Sequence, residues 1–170
     1  EKSLFKLLDE KTHLDNKLAQ QKDALRNNFL ARLLKGRITN PLSVSESFKL
    51  YDIEFAGGDF VVIIFEIDNL DYALSLDKPE DVELVNFIIQ HVNEEIFVDN
   101  YHGYMAEVDG RMCCLINLLP QSQEVDSEKI RADIEMVALK AIKLLENKFG
   151  LTVSVAISGI HTKISSIANA

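Results

Sequence analysis

Between positions 1 and 35 the chain has neither Gly nor Pro, and strong helix formers dominate. Leu4, Leu7, Lys11, Leu14, Leu18, Gln21, Leu25 and Asn28 follow one another at spacings of three and four. This is a heptad line carrying leucine at five positions and polar residues at three, and it predicts a long helix with a coiled-coil seam. Polar seam positions weaken such a pairing but fix its register and the number of partners. After Leu25 the apolar line broadens through Phe29, Leu33 and Leu34, as a stutter does, so the last turns are expected to pack on a globular domain. Gly36 suits the residue that ends the helix. The competing arrangement folds the whole helix back on its own domain. The narrow leucine line in residues 1–24, with charge on the other faces, fits a two-stranded seam better.

Beyond residue 36 the period changes. Ser43 and Glu46 form a capping-box pattern that predicts a short helix toward Tyr51. Gly57-Gly58-Asp59 reads as a turn feeding Phe60–Ile67, a run apolar at consecutive positions and therefore expected as a central strand covered on both faces. Asp77, Pro79 and Glu80 start a helix that turns Val82, Val85, Ile89, Val92 and Ile96 inward. Residues 103–109 and 112–119 read as strands on either side of Asp109-Gly110, a strong two-residue hairpin signal. A helix from about Ser127 follows, with Ile130, Ile134, Val137, Ala141 and Leu144 inward and Gly150 at its end. Residues 152–158 alternate and form the last strand.

The order β-α-β-β-α-β predicts an α+β fold with a ferredoxin-like sheet, its helices on one face. The two most apolar strands, the first and third, are expected in the centre, and the second and fourth at the edges. Two parts result: a dimerising coiled-coil or linker helix over 1–36, and an α/β domain over 37–170.

Composition narrows the function. The net charge is −9. Nucleic-acid affinity comes largely from neutralising phosphates, and no Lys/Arg cluster is present, so DNA contact is expected only through a module outside these residues. No apolar stretch approaches the length that crosses a bilayer. A first residue of Glu rather than Met, and an end at Ser165–Ala170 inside what reads as a starting helix, are what an excised piece of a longer chain is expected to show. Cys113 and Cys114 are adjacent on a strand and point to opposite faces, which excludes an ordinary disulfide and suits a reducing cytoplasm. No Cys/His spacing marks a metal site, and no cofactor is expected. Of the histidines, His13 sits among charges on the rod, while His91, His102 and His161 are scattered and without a nucleophile nearby. Tyr101, His102 and Tyr104 either edge a small-molecule pocket or pack as an aromatic cluster.

Several segments carry a family resemblance. The stretch from Leu25 through Phe29, Arg32 and Leu33 to Ile38 resembles the linker helix that precedes the central domain of AraC-type regulators. Lys49-Leu50-Tyr51-Asp52-Ile53, and Ser154–His161 leading into Ile164–Ile167, resemble the segments that follow it and that end that domain. Sugar-diacid and purine-catabolism regulators carry a similar middle domain. The domain is similar to nucleotide cyclases of the GGDEF class, whose signature lies on the hairpin between the second and third strands. By position the signature glycines fall on Asp109 and Gly110, and its acidic pair on Arg111 and Met112. The first-strand carboxylates survive in part as Glu66 and Asp68, with Asp71 nearby. Phosphoryl transfer depends on Mg²⁺ held by carboxylate oxygens, which a guanidinium and a thioether cannot supply. Gly57-Gly58-Asp59-Phe60 nearly spells the signature but precedes the first strand.

The resemblance therefore implies a non-catalytic relay and dimerisation segment, a homodimer through the seam leucines Leu4, Leu7, Leu14, Leu18 and Leu25. It implies a helix-turn-helix DNA-binding domain downstream and a membrane-bound sensor upstream, with this fragment itself cytoplasmic and making no membrane contact. A small-molecule- or nucleotide-sensing domain and a residual nucleotide cyclase are the competing readings.

Overall fold

The structure is a computed structural model that describes residues 2–38, 41–69, 79–98, 101–119 and 127–164, with side-chain surroundings over 11–38, 44–69, 84–97, 101–119 and 127–164. Its elements are α1 (Lys2–Leu34), α2 (Pro41–Leu50), β1 (Phe60–Ile67), α3 (Pro79–Val98), β2 (His102–Val108), β3 (Arg111–Asn117), α4 (Ser127–Phe149) and β4 (Val153–Ile157). The four strands form one antiparallel sheet in the order β2-β3-β1-β4. The chain is thus a mixed α+β protein with a long N-terminal helix. The apolar strands β1 and β3 lie in the centre and β2 and β4 at the edges, as their patterns predict.

The central strands are apolar at consecutive positions because both faces of the sheet are covered. On one face Val61, Ile63 and Phe65 of β1 and Met112, Cys114 and Ile116 of β3 pack against Val85, Ile89 and Val92 of α3 and Ile134, Val137, Ala141 and Leu145 of α4. Ile96, Ile130 and Leu144 are partly buried against this core. Leu145 takes the fully buried place expected of Leu144. Val82, Leu4 and Leu7 lie outside the residues whose side chains are described, and Asp77 outside the described residues altogether.

The opposite face is covered by α1 and α2. Phe29, Leu30 and Leu33 join Val44, Ile53, Phe60, Val62, Ala106 and Leu115 in a second core. The broadened stripe at the end of α1 is what docks there. Burying a leucine such as Leu30, which is 0% exposed, contributes about 2 kcal/mol, so these turns are fixed to the sheet. Aromatic rings tie the layer together: Phe29 lies 5.8 Å from Phe48 edge-on, and Phe55 lies 5.0 Å from Phe60 and 5.6 Å from Tyr104. Residues 11–25 of α1 stand away from both cores and are exposed throughout. Over residues 11–25 the helix does not fold back on its own domain.

Turn chemistry sets the ends of the elements. Gly36, at φ +65°, closes α1 with its own N–H on Leu33 and the Arg37 N–H on Arg32, the double carbonyl capture of a Schellman turn. Asp109 (φ +51°) and Gly110 (φ +78°) both adopt the left-handed conformation that a two-residue hairpin requires, with Val108 paired to Arg111 across it. One expectation fails. Helix α2 begins at Pro41, so Ser43 is inside the helix and its pattern with Glu46 is not the cap. Proline at the first helical position has its φ already set and needs no N–H partner, which moves the start upstream.

Candidate functional site

The hairpin and the end of β1 come together at one end of the sheet, where the cyclase resemblance places its signature. Phe65 pairs with Met112 in the ladder, which makes Glu66 and Arg111 cross-strand neighbours. Arg111 donates through a terminal nitrogen to Glu66 Oε1 at 3.4 Å, and its Nε lies 3.3 Å from Oε2 as an ion pair. A fixed cation thus engages both oxygens of the carboxylate. Met112 points the other way, 5% exposed within the α3–α4 core, and is packing rather than surface. Arg111 and Met112 therefore place one cation at the sheet end and one thioether in the core.

The remaining acids here are also engaged. Asp68 accepts the Ser154 hydroxyl at 2.8 and 2.9 Å on its two oxygens. Asp109 accepts a hydrogen bond from Lys35, the residue just after α1. That bond holds its carboxyl below the ordinary range, and the charges of Arg37 and Arg111 pull the same way. Glu107 accepts from Asn86 of α3 at 3.2 Å. Phe65, Glu66, Asn86, Glu107, Arg111 and Met112 line a cavity of about 180 Å³ between these groups. Among the described residues no group of three or more His, Cys, Asp or Glu is placed to hold a metal ion. Asp71 lies outside the described residues.

The other candidates separate. Tyr101 packs toward Phe97, with ring centroids 6.4 Å apart, in the core under α3. Burial, helped by the charge of Asp133, raises its phenol pKa. Tyr104 lies in the second core, where its hydroxyl accepts the Glu54 N–H at 2.8 Å and Arg26 sits 5.9 Å over its ring. These two rings pack in separate layers, one against each core. Cys113 and Cys114 are both buried free thiols. His91 stacks on Phe87 at 4.0 Å, and His161 is tied by its backbone to Phe60.

Two features have no sequence signature. Asn117, fully buried at the end of β3, accepts the N–H groups of Ala56 and Gly57 at 2.7 and 3.1 Å. It donates to the carbonyls of Gly57 and Asp59 at 2.9 and 3.0 Å. The Gly57-Gly58-Asp59 turn is thus clamped structurally. The second feature is a cavity of about 340 Å³ between the start of α4 and the end of β4, lined by Val61, Ile130, Ile134 and Ile157 with Ser127 and Arg131. An asparagine inside an apolar run and a gap between layers are products of packing, without periodicity to reveal them.

No helix among the described residues is long and apolar enough to cross a membrane. No family model, no curated protein and no solved structure matches the chain.

Proposed function

We propose that this chain is the non-catalytic relay and dimerisation segment of an AraC-type transcription regulator. It passes a signal from an upstream, membrane-bound sensor to a downstream helix-turn-helix domain that carries the DNA contact. Its sheet is assigned to the ferredoxin-like class, in the degenerate GGDEF-like form; the order β2-β3-β1-β4 with two helices on one face supports that assignment. The observation that carries the reading is the division of α1. Its last turns are built into the sheet through Phe29, Leu30 and Leu33, while Leu14, Leu18 and Leu25 remain 56–57% exposed along one line. A continuous helix of 33 residues spans roughly 50 Å and moves as a lever on the domain to which its end is fixed.

Sedimentation of the chain, and of a Leu14→Glu/Leu18→Glu variant, tests the dimer. A dimer for the first and a monomer for the second is expected; a monomer for both refutes it. The absence of catalysis rests on Arg111 and Met112. Incubation with GTP or ATP and Mg²⁺ is expected to give no cyclic or dinucleotide product, and measurable turnover refutes it.

A small-molecule sensor is the second reading, favoured by the 340 Å³ cavity, whose size and mostly apolar lining suit a small ligand. A thermal-shift screen with nucleotides and sugar acids decides it: a concentration-dependent rise in Tm lost on Ile134→Trp supports it, and no shift counts against it.

A further inference from the structure

The heptad assigns positions beside the leucines as well. With Leu18 and Leu25 at heptad position a and Leu14 at d, Lys22 falls at e and Lys17 at g. In a parallel, in-register pair each g residue meets the partner's following e residue, so Lys17 of one copy is brought to Lys22 of the other. Two lysines facing one another on each side of the seam are repulsive. The structure supplies the missing anion from outside the helix. Asp52, in the left-handed turn after α2, reaches across to Lys22 and forms an ion pair with it, while remaining 71% exposed.

We infer that a second copy of this chain docks in parallel on the α1 seam, and that Asp52 of each domain accepts Lys17 of the partner's rod as well as its own Lys22. This rests on the dimerising role proposed above and adds the orientation and a contact between domain and opposite rod. The seam itself favours this alignment. In parallel register Leu14, Leu18 and Leu25 each meet their own copy, and so do Gln21 and Asn28. The antiparallel alignment that matches the leucines best sets Leu14 against the partner's Leu18. It also sets Asp15 against Asp15 and Lys17 against Lys17, with Asp52 remote from both. The parallel pair has one like-charged contact of its own, Glu10 against Asp15, and the seam residue Lys11 lies between those acids on each chain. Charge is thus balanced at both ends, by Lys11 toward the N-terminus and by Asp52 toward the domain.

The test is a charge reversal with rescue, read by sedimentation equilibrium. Asp52→Lys places three cations together on each side and is expected to raise the dimer Kd by about ten-fold at low salt. Adding Lys17→Glu to Asp52→Lys is expected to restore it, because the partner's new carboxylate then meets Lys22 and the lysine introduced at position 52. Both proteins carry the same substitution at position 52, so any folding penalty at that turn is common to them. In parallel, Leu18→Cys under mild oxidation is expected to give a disulfide-linked dimer. A stable dimer in which Asp52→Lys is neutral, or in which the Leu18→Cys chain does not cross-link, overturns the inference and leaves dimerisation standing. A chain that is monomeric at every concentration overturns both.

Discussion

Asn117→Ala removes a single side chain that the structure gives four hydrogen bonds, two accepted from the Ala56 and Gly57 N–H groups and two donated to the Gly57 and Asp59 carbonyls. A hydrogen bond contributes about 1 kcal/mol net, and a buried group left without its partner costs about 1–3 kcal/mol. Ala56 and Asp59 are exposed and can turn to water, while Gly57 is half-buried and Asn117 itself has no exposed surface. The loss is therefore smaller than four full bonds, and about 2–3 kcal/mol is expected. For a chain of this size that lowers Tm by about 4–12 °C. The chain has no Trp, so urea and thermal unfolding are followed by circular dichroism. Hydrogen exchange at residues 56–60 is expected to accelerate first.

Asn117→Asp sharpens the test, because the shape is kept and only the donor is lost. An ionised carboxylate there still accepts from two N–H groups but faces two carbonyl oxygens, while its protonated form donates to one of them. The folded state therefore favours the neutral acid and raises its pKa above the unfolded value. The contribution of the protonated form is complete below the unfolded pKa and is lost as pH rises through the folded one. This variant is expected to lose stability relative to the native chain as pH rises above the unfolded carboxyl value of about 4. A loss below about 0.5 kcal/mol for Asn117→Ala, or an Asn117→Asp chain indifferent to pH, would show that the clamp is not what holds the turn.

Burial pushes the Cys113 thiol up to about 11 against the opposing pull of Arg111, and burial pushes Cys114 higher still. Because these folded pKa values are raised, the associated stability is complete below the ordinary thiol range near 9 and declines as pH climbs toward 11. Iodoacetamide at pH 8 is expected to label neither cysteine in the native chain and both in urea; rapid native labelling contradicts the packing. Leu30→Ala is expected to cost about 2–5 kcal/mol in unfolding experiments, whereas Leu18→Ala leaves the dilute domain within about 0.5 kcal/mol of the native chain. Equal losses at the two positions would mean that the end of α1 is not docked. Lys35→Gln is expected to move the Asp109 carboxyl pKa upward, as read by carboxyl-carbon NMR; an unmoved titration would remove Lys35 as its main partner.

What the sequence disclosed follows the strength of local signals. The hairpin was legible because Asp109-Gly110 is one of the few pairs that tolerates two left-handed residues in succession. The central places of β1 and β3 were legible because strands covered on both faces lose alternation. The second cover, by α1 and α2, showed only as the broadening at Phe29, Leu33 and Leu34. The start of α2 was misplaced because a capping-box pattern and a first-turn proline compete within three residues, and the proline prevailed. At the candidate site the place of Arg111 and Met112 at the start of β3, just after the hairpin turn, was legible. The pairing of Arg111 with Glu66 and of Lys35 with Asp109 was not, since each joins elements far apart in the chain. Asp52 was hidden for the same reason, as it reaches Lys22 thirty positions away.

Helix formation is limited by its first turn, which fixes several residues for one hydrogen bond, so a rod with no packed surface is marginal alone. In α1 that first turn is already in place, because Phe29, Leu30 and Leu33 are held in the sheet's second core. The helix then propagates from the domain outward. Lys22–Asp52 and the Asp23–Arg26 pair at 3.1 Å support the next two turns, and residues 11–21 touch no core. Order in the rod should therefore be graded, and a partner on the seam should extend it toward the N-terminus. Hydrogen exchange on the native chain and on Leu14→Glu/Leu18→Glu measures this directly. Amides 30–34 are expected to be protected in both, and amides 12–20 only where the dimer forms. Equal protection from 12 to 34 in the monomeric variant would mean that the rod is rigid without a partner. Pairing would then add affinity but transmit no change in order to the domain.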